Sequence, residues 1–212
     1  QPTPQDFRTL ANSKLLVSNG LGFEGWLERL DTASGFKGVK VVASQGIKPH
    51  QMQEEEADDH DDAAHDHADH DHEADAAHHH HHGGLDPHAW NNPANVLIYV
   101  DNIARGLSQV DPQHASLYAD NAARYKAQIQ KLDADYRTRF AKLPADRRRA
   151  ITSHDAFGYL AQAYQLTLIG AQGLSTESEP SAAMIAGLIR QIRDEKIPAL
   201  FIENISNPTL IQ

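Results

Sequence analysis

Ten of the fourteen histidines in this 212-residue chain stand within residues 54–82, EEEADDHDDAAHDHADHDHEADAAHHHHH. The same stretch holds twelve Asp or Glu and seven Ala, and no Lys or Arg. Imidazole is a borderline-soft ligand that suits zinc, copper and nickel, and neighbouring carboxylates help to gather cations. His60, His65, His67, His70 and His72 alternate with acids, and His78, His79, His80, His81 and His82 follow as a run. A chain of this kind can wrap several coordination geometries. It should bind metal weakly, at more than one stoichiometry, and lose it as pH falls through an imidazole pKa of about 6.5. Two blander readings compete. The segment serves as a solvated spacer, or His78–His82 derive from a purification tag, although tags usually stand at chain ends.

Two further histidines have chemical context. His88 lies in LDPHAW, where the low-complexity stretch meets a helix start, and Asp86 and Pro87 stiffen the backbone ahead of it. His154 lies in ITSHDAFGYL, at the carboxyl end of an expected parallel strand, the edge at which open α/β sheets bind ligands. Asp155 beside it is placed to orient a ring as an outer-sphere partner. His50 and His114 lack such surroundings and read as surface residues. Glu177, Glu179 and Glu203 fall near strand ends as possible acid/base groups, but nothing pairs them. No G-x-S-x-G elbow, phosphate-binding G-x-x-x-x-G-K-[ST] loop, G-x-G-x-x-G fingerprint or H-E-x-x-H helix is present. The inventory therefore favours binding over catalysis.

The elements that must position these side chains alternate. QPTPQDFRTLANS reads as a helix with Thr3 as N-cap and Pro4 first. KLLVSNG (14–20) and VKVVAS (39–44) read as strands, flanking an amphipathic GFEGWLERLDTAS helix with Phe23, Trp26, Leu27 and Leu30 on one face. A helix runs from about Pro93 to Val110. A second, about 30 residues and roughly 45 Å long at 1.5 Å per residue, runs to Pro144 with an apolar stripe of Leu117, Tyr125, Ile129, Leu132, Tyr136 and Phe140. A strand–helix rhythm follows: RAITSH, AFGYLAQAY, LTLIGAQG, SAAMIAGLIRQIRDEK, PALFIEN, and a helix starting near Pro208. Alternation of this kind predicts a parallel sheet. The fold class expected is α/β: two lobes with mainly parallel sheets, joined by a long rigid helix. The division is 1–111 with an insert at 50–84, then 112–144, then 145–212. Both ends read as cut, as in an interior piece of a longer protein.

Composition sets the outer limits. The formal charge is −10, but removing residues 54–82 leaves 19 basic and 17 acidic residues. The body is nearly neutral, which argues against nucleic acid as a partner, and the short cluster Arg147, Arg148, Arg149 does not change that. The absence of cysteine excludes disulfides, thiolate metal sites and a cysteine nucleophile. No apolar run approaches the roughly 20 residues of a membrane-spanning helix.

LDPHAW followed by a helix, a long helix, SHDAFGYLAQAYQL, and ESEPSAAMIAGLIRQIRDEKIPALFIEN, together with the opening QPTPQDFRTLANSKLLVSNGLGFEGWLERL, resembles the solute-binding proteins of zinc and manganese ABC importers. The His-rich insert ahead of D-P-H resembles the zinc-specific branch. The resemblance spans essentially the whole chain. It implies two α/β lobes joined by a helix, with metal in the cleft between them and His88 and His154 as ligands from opposite lobes. In manganese-type relatives the position of His154 is usually a carboxylate, so an imidazole there implies zinc. The family's first ligand would fall just before Gln1 and its last, an Asp or Glu, after Gln212. The expected protein is thus a monomeric, periplasmic or surface-anchored receptor that hands Zn²⁺, its transported ligand, to an inner-membrane ABC permease. The competing readings are a manganese, nickel or copper receptor on the same scaffold, a zinc metallohydrolase built on His88 and His154, and a zinc buffer whose whole function is the insert.

Overall fold

A computed structural model describes residues 2–52, 84–171 and 182–201. The ten insert histidines, Glu177, Glu179, Glu203 and the helix expected near Pro208 lie outside the described residues.

The first half forms as its local signals dictate. Helix α1 (Pro4–Ala11) opens with Pro at its first position, and the Asp6 carboxylate accepts both the Thr3 backbone N–H (2.6 Å) and the Thr3 hydroxyl (2.7 Å). Strands β1 (Leu15–Ser18) and β2 (Val39–Val42) pair in parallel, Leu15 opposite Val39. Between them lies helix α2 (Leu27–Ser34), closed by Gly35 in the left-handed region. Leu10, Leu30 and Phe36 form the small core under this unit, with Phe7, Leu16 and Leu27 against it.

Helix α2 is shorter than the amphipathic pattern predicts. Residues 21–26 are turns, and Phe23 and Trp26 are exposed. The Glu24 carboxylate accepts the backbone N–H groups of Asn19 and Gly20, and Gly20, Leu21 and Gly22 all have positive φ. A side chain at Gly20 would place its Cβ 2.5 Å from Val42. The polar cap and the close approach to β2 override the apolar periodicity.

Helix α3 (Pro93–Val110) is capped by the Asn92 side chain, which accepts the Ala94 N–H. It packs on β1 and β2 through Gly106, where a Cβ would fall 2.4 Å from Val41. After a 3₁₀ turn at Pro112–His114 comes helix α4 (Ala115–Ala141), about 40 Å long at 1.5 Å per residue. Its apolar stripe is only partly used. Ile129 is buried and Tyr136 and Phe140 meet Tyr164, but Leu117, Tyr125 and Leu132 are exposed. Among the described residues, α3 and α5 lie against the helix.

The second half carries a three-stranded parallel sheet in the order β4–β3–β5, built from β3 (Arg149–Thr152), β4 (Thr167–Gly170) and β5 (Leu200–Phe201). Helices α5 (Gly158–Tyr164) and α6 (Ala182–Asp194) alternate with the strands. Central strand β3 is the most buried. Ile151 is fully buried and joins Ala171, Leu188 and Ile197 in the core. The three strand pairings among the described residues are parallel, as the βα rhythm predicts.

The edges of the predicted insert are themselves structured. Gln51 and Leu85 form an antiparallel bridge, and the Met52 N–H donates to the Gly84 carbonyl at 2.9 Å. Residues 50–52 and 84 thus belong to the folded body. No helix of the described residues is long and apolar enough to cross a membrane.

Candidate metal centre

His88 follows the Gln51–Leu85 bridge and precedes the 3₁₀ turn Ala89–Asn91 that leads into α3. His154 follows β3 at its carboxyl end. Distant in sequence, the two imidazoles meet: their ring centroids are 5.7 Å apart at an interplanar angle of 63°.

The His88 ring is set by Asp86. One carboxylate oxygen accepts the His88 backbone N–H (2.9 Å) and its Nδ1–H (2.7 Å). That bond fixes the proton on Nδ1 and leaves the Nε2 lone pair as the donor atom, the usual arrangement of a carboxylate–histidine–metal triad. Asp86 is buried, donates its N–H to the His50 carbonyl (2.9 Å) and accepts the Tyr159 hydroxyl on its own carbonyl (2.9 Å). Sequence places Asp155 to orient a ring as an outer-sphere partner; the carboxylate that meets His88 is Asp86, two residues before it, which sequence credits only with stiffening. Asp155 packs against Gly170, where a Cβ would lie 3.3 Å from its own.

Around this pair several polar side chains hold backbone in place. Tyr159, 1% exposed, accepts the His50 N–H (3.0 Å) and stacks flat on the His50 ring at 3.9 Å. Burial, reinforced by nearby Asp86, pushes its phenol above the ordinary value, so it stays a donor. His50 also meets Gln162 through Nε2 at 2.8 Å, so it is a packed contact rather than the bare surface residue expected. His114 is exposed, as expected, and donates to Asp111. Asn19, at the end of β1, donates to the carbonyl of Pro87 (3.0 Å) and accepts the Tyr99 hydroxyl (2.6 Å). Tyr99 is pushed up to about 12 by burial, then by Tyr159 and Glu24. Asn91 donates to the carbonyl of Ala156 (2.8 Å). The roles of Asn19, Asn91, Tyr99 and Tyr159 carry no sequence signal, because each depends on a partner that only the fold brings near.

Aromatic rings wall the site. Trp90 meets His88 edge-on at 5.3 Å, Phe23 meets Trp90 at 5.3 Å, and Phe157 lies 6.3 Å from His154. A cavity of about 760 Å³ is lined by His50, Asp86, Asp155, Gln162 and the β4 edge.

A zinc–nitrogen bond of roughly 2.0–2.1 Å places an imidazole centroid about 3.2 Å from the ion, so two rings at a tetrahedral angle stand about 5.2 Å apart. The observed 5.7 Å is within half an ångström of that. Among the described residues no group of three or more His, Asp or Glu side chains is placed to hold a metal ion. The two rings thus stand at about the separation that two imidazole ligands of a tetrahedral zinc ion would need.

The chain matches, over residues 1–212, the family described as ZnuA, zinc-uptake complex component A, periplasmic. It is 35% identical to the high-affinity zinc uptake system protein ZnuA of Bacillus subtilis, over 98% of this chain and 60% of the relative. It is 31% identical to the iron-binding protein YfeA of Yersinia pestis, over 96% of this chain and 58% of that one. It is 27% identical to the manganese-binding lipoprotein MntA of Halalkalibacterium halodurans, over 100% and 61%. Among solved structures, the metal-dependent lipoprotein YcdH of Bacillus subtilis superposes with a TM-score of 0.71 at 29% identity, covering 99% of this chain and 67% of that chain. The chain thus spans about 60% of the length of these curated relatives. The relatives are named as metal-binding and uptake components, which agrees with the expectation of a binding protein rather than an enzyme, while the metals in their names differ. Sequence, fold and family match agree that the chain belongs to the ZnuA family of periplasmic metal-uptake components.

Proposed function

We propose that the chain is the metal-capturing part of an ABC-importer receptor, with Zn²⁺ as its cargo and His88 and His154 as two of its ligands. The observation that carries the reading is the convergence of the two rings at 5.7 Å, with the His88 Nε2 left open by the Asp86 bond. Zinc is favoured because two neutral imidazoles suit it better than they suit manganese, which prefers oxygen donors. Each half of the chain contributes one imidazole, with α4 as the strut between two lobes, so capture needs little closure. The remaining ligands would come from residues flanking this stretch, as the family resemblance implies. The receptor works as a monomer in the periplasm or anchored at the cell surface and delivers zinc to a membrane permease. The insert at 54–82 is a low-affinity collector beside the tight site.

The test is a competition titration of the intact protein against chelators with Zn²⁺, Mn²⁺, Fe²⁺, Ni²⁺ and Cu²⁺. The expected result is one tight zinc site that manganese and iron do not displace at comparable concentration. Tighter manganese or iron binding at that site would overturn the choice of cargo.

A further inference from the structure

We infer that Asn91 is a positioning residue, a clasp that fixes the separation of the two imidazoles. This deepens the receptor reading and rests on it. Asn91 ends the 3₁₀ turn that begins directly after His88, and its backbone N–H donates to the His88 carbonyl at 3.1 Å. Its side chain therefore rides on the same rigid turn as one ligand. The Nδ2 amide donates to the carbonyl of Ala156 at 2.8 Å. Ala156 is buried, and its own N–H donates to the His154 carbonyl at 3.1 Å, which also accepts the Thr152 hydroxyl at 3.0 Å. The second ligand is thus closed into a tight loop, and Asn91 grips that loop two residues past the ring.

The bond joins the two ligand-bearing turns directly, although one leads into α3 and the other leaves β3. Two imidazoles tethered on separate sheets must otherwise be ordered relative to each other when the ion binds, and that ordering subtracts from affinity. Ligand sets need placement within about 0.5 Å to be effective. Tyr159 ties α5 to the backbone of Asp86 at the same junction, but the Asn91 amide is the bond that runs from the turn after His88 to the loop that carries His154. Asp86 sets the tautomer and tilt of one ring, whereas Asn91 sets the distance between two.

The test uses the intact protein and two substitutions. Asn91→Asp keeps the shape but replaces the donor with an oxygen facing the Ala156 carbonyl. Asn91→Leu keeps bulk and removes polarity. Both are expected to weaken zinc binding about tenfold in chelator competition, in the range of outer-sphere losses. Both should also alter the visible absorption of the Co²⁺-loaded protein, which reports ligand geometry. In the metal-free variants, amide hydrogen exchange should accelerate together in residues 86–91 and 153–157, with circular dichroism unchanged. Zinc affinity within twofold of the parent in both variants, with an unaltered Co²⁺ spectrum, would overturn the clasp even if thermal stability fell. Should the parent protein itself take up no tight zinc, the receptor reading fails instead, and the exchange measurement still decides whether Asn91 couples the two turns.

Discussion

At the scale of single residues, the site is a pair of imidazoles and the carbonyls and carboxylates that aim them. His88 and His154 stand out as candidates in the sequence because D-P-H and S-H-D occur at element boundaries, where a side chain can project from a fixed turn. Asp86 was legible only as a stiffener. Its hold on the His88 Nδ1–H at 2.7 Å depends on a backbone turn that doubles back over two residues. Asn19, Asn91 and Tyr159 were invisible, since an amide or a phenol acquires a role only from the distant peptide it meets. Asp86→Asn replaces the charged acceptor with a neutral one of the same shape. Zinc affinity in chelator competition should fall roughly 10–100-fold, as for other outer-sphere partners of ligating histidines.

At the scale of elements, caps were read more reliably than faces. Thr3 with Pro4 marks the start of α1 as expected, and α3 begins at the expected Pro93, where Asn92 caps it, because a capping side chain acts on its immediate neighbours. The apolar faces of residues 21–34 and of α4 were overread, because periodicity says what can be buried, not what arrives to bury it. Tyr164 shows what does arrive at α4. Its hydroxyl donates to Asp133 at 2.9 Å, Arg137 lies over its ring at 5.5 Å, and Tyr136 and Phe140 pack beside it.

Burial first, then the Asp133 hydrogen bond, raises the Tyr164 phenol above its ordinary value of 10.0. The folded state thus prefers the neutral phenol, so the stabilisation is complete below pH 10 and is lost as pH rises above it. Tyr164→Phe should cost about 1–3 kcal/mol at pH 7 in urea unfolding. The gap from the parent should narrow between pH 10 and 11. A gap that widens there would contradict the assignment. In the central strand, Ile151→Ala should cost about 2–5 kcal/mol by the same measurement, because Ile151 is fully buried in the core of the second sheet.

At the scale of the whole molecule, two parallel sheets and a helix of 27 residues place two turns side by side. The α/β class and the parallel pairing followed from the alternation of short apolar runs with helical ones. The junction between the two halves did not, since it is made by Tyr159, Asn91 and His50 reaching across rather than by any local pattern. The insert is distinguished by charge alone: without it the chain is nearly neutral. Its root, at His50–Met52 and Gly84–Asp86, includes Asp86, whose carboxylate meets the His88 ring. Deleting residues 54–82 should leave one tight zinc site and remove only weaker ones in calorimetric titration. Loss of the tight site on deletion would place the primary ligands in the insert instead.

The central claim is that His88 and His154 grip one dication. Anomalous X-ray scattering from crystals of the zinc-loaded intact protein tests it most directly. A single strong zinc peak roughly 2.0–2.1 Å from a ring nitrogen of each histidine is the predicted result. A zinc peak that touches neither ring, or only one of them, would contradict it.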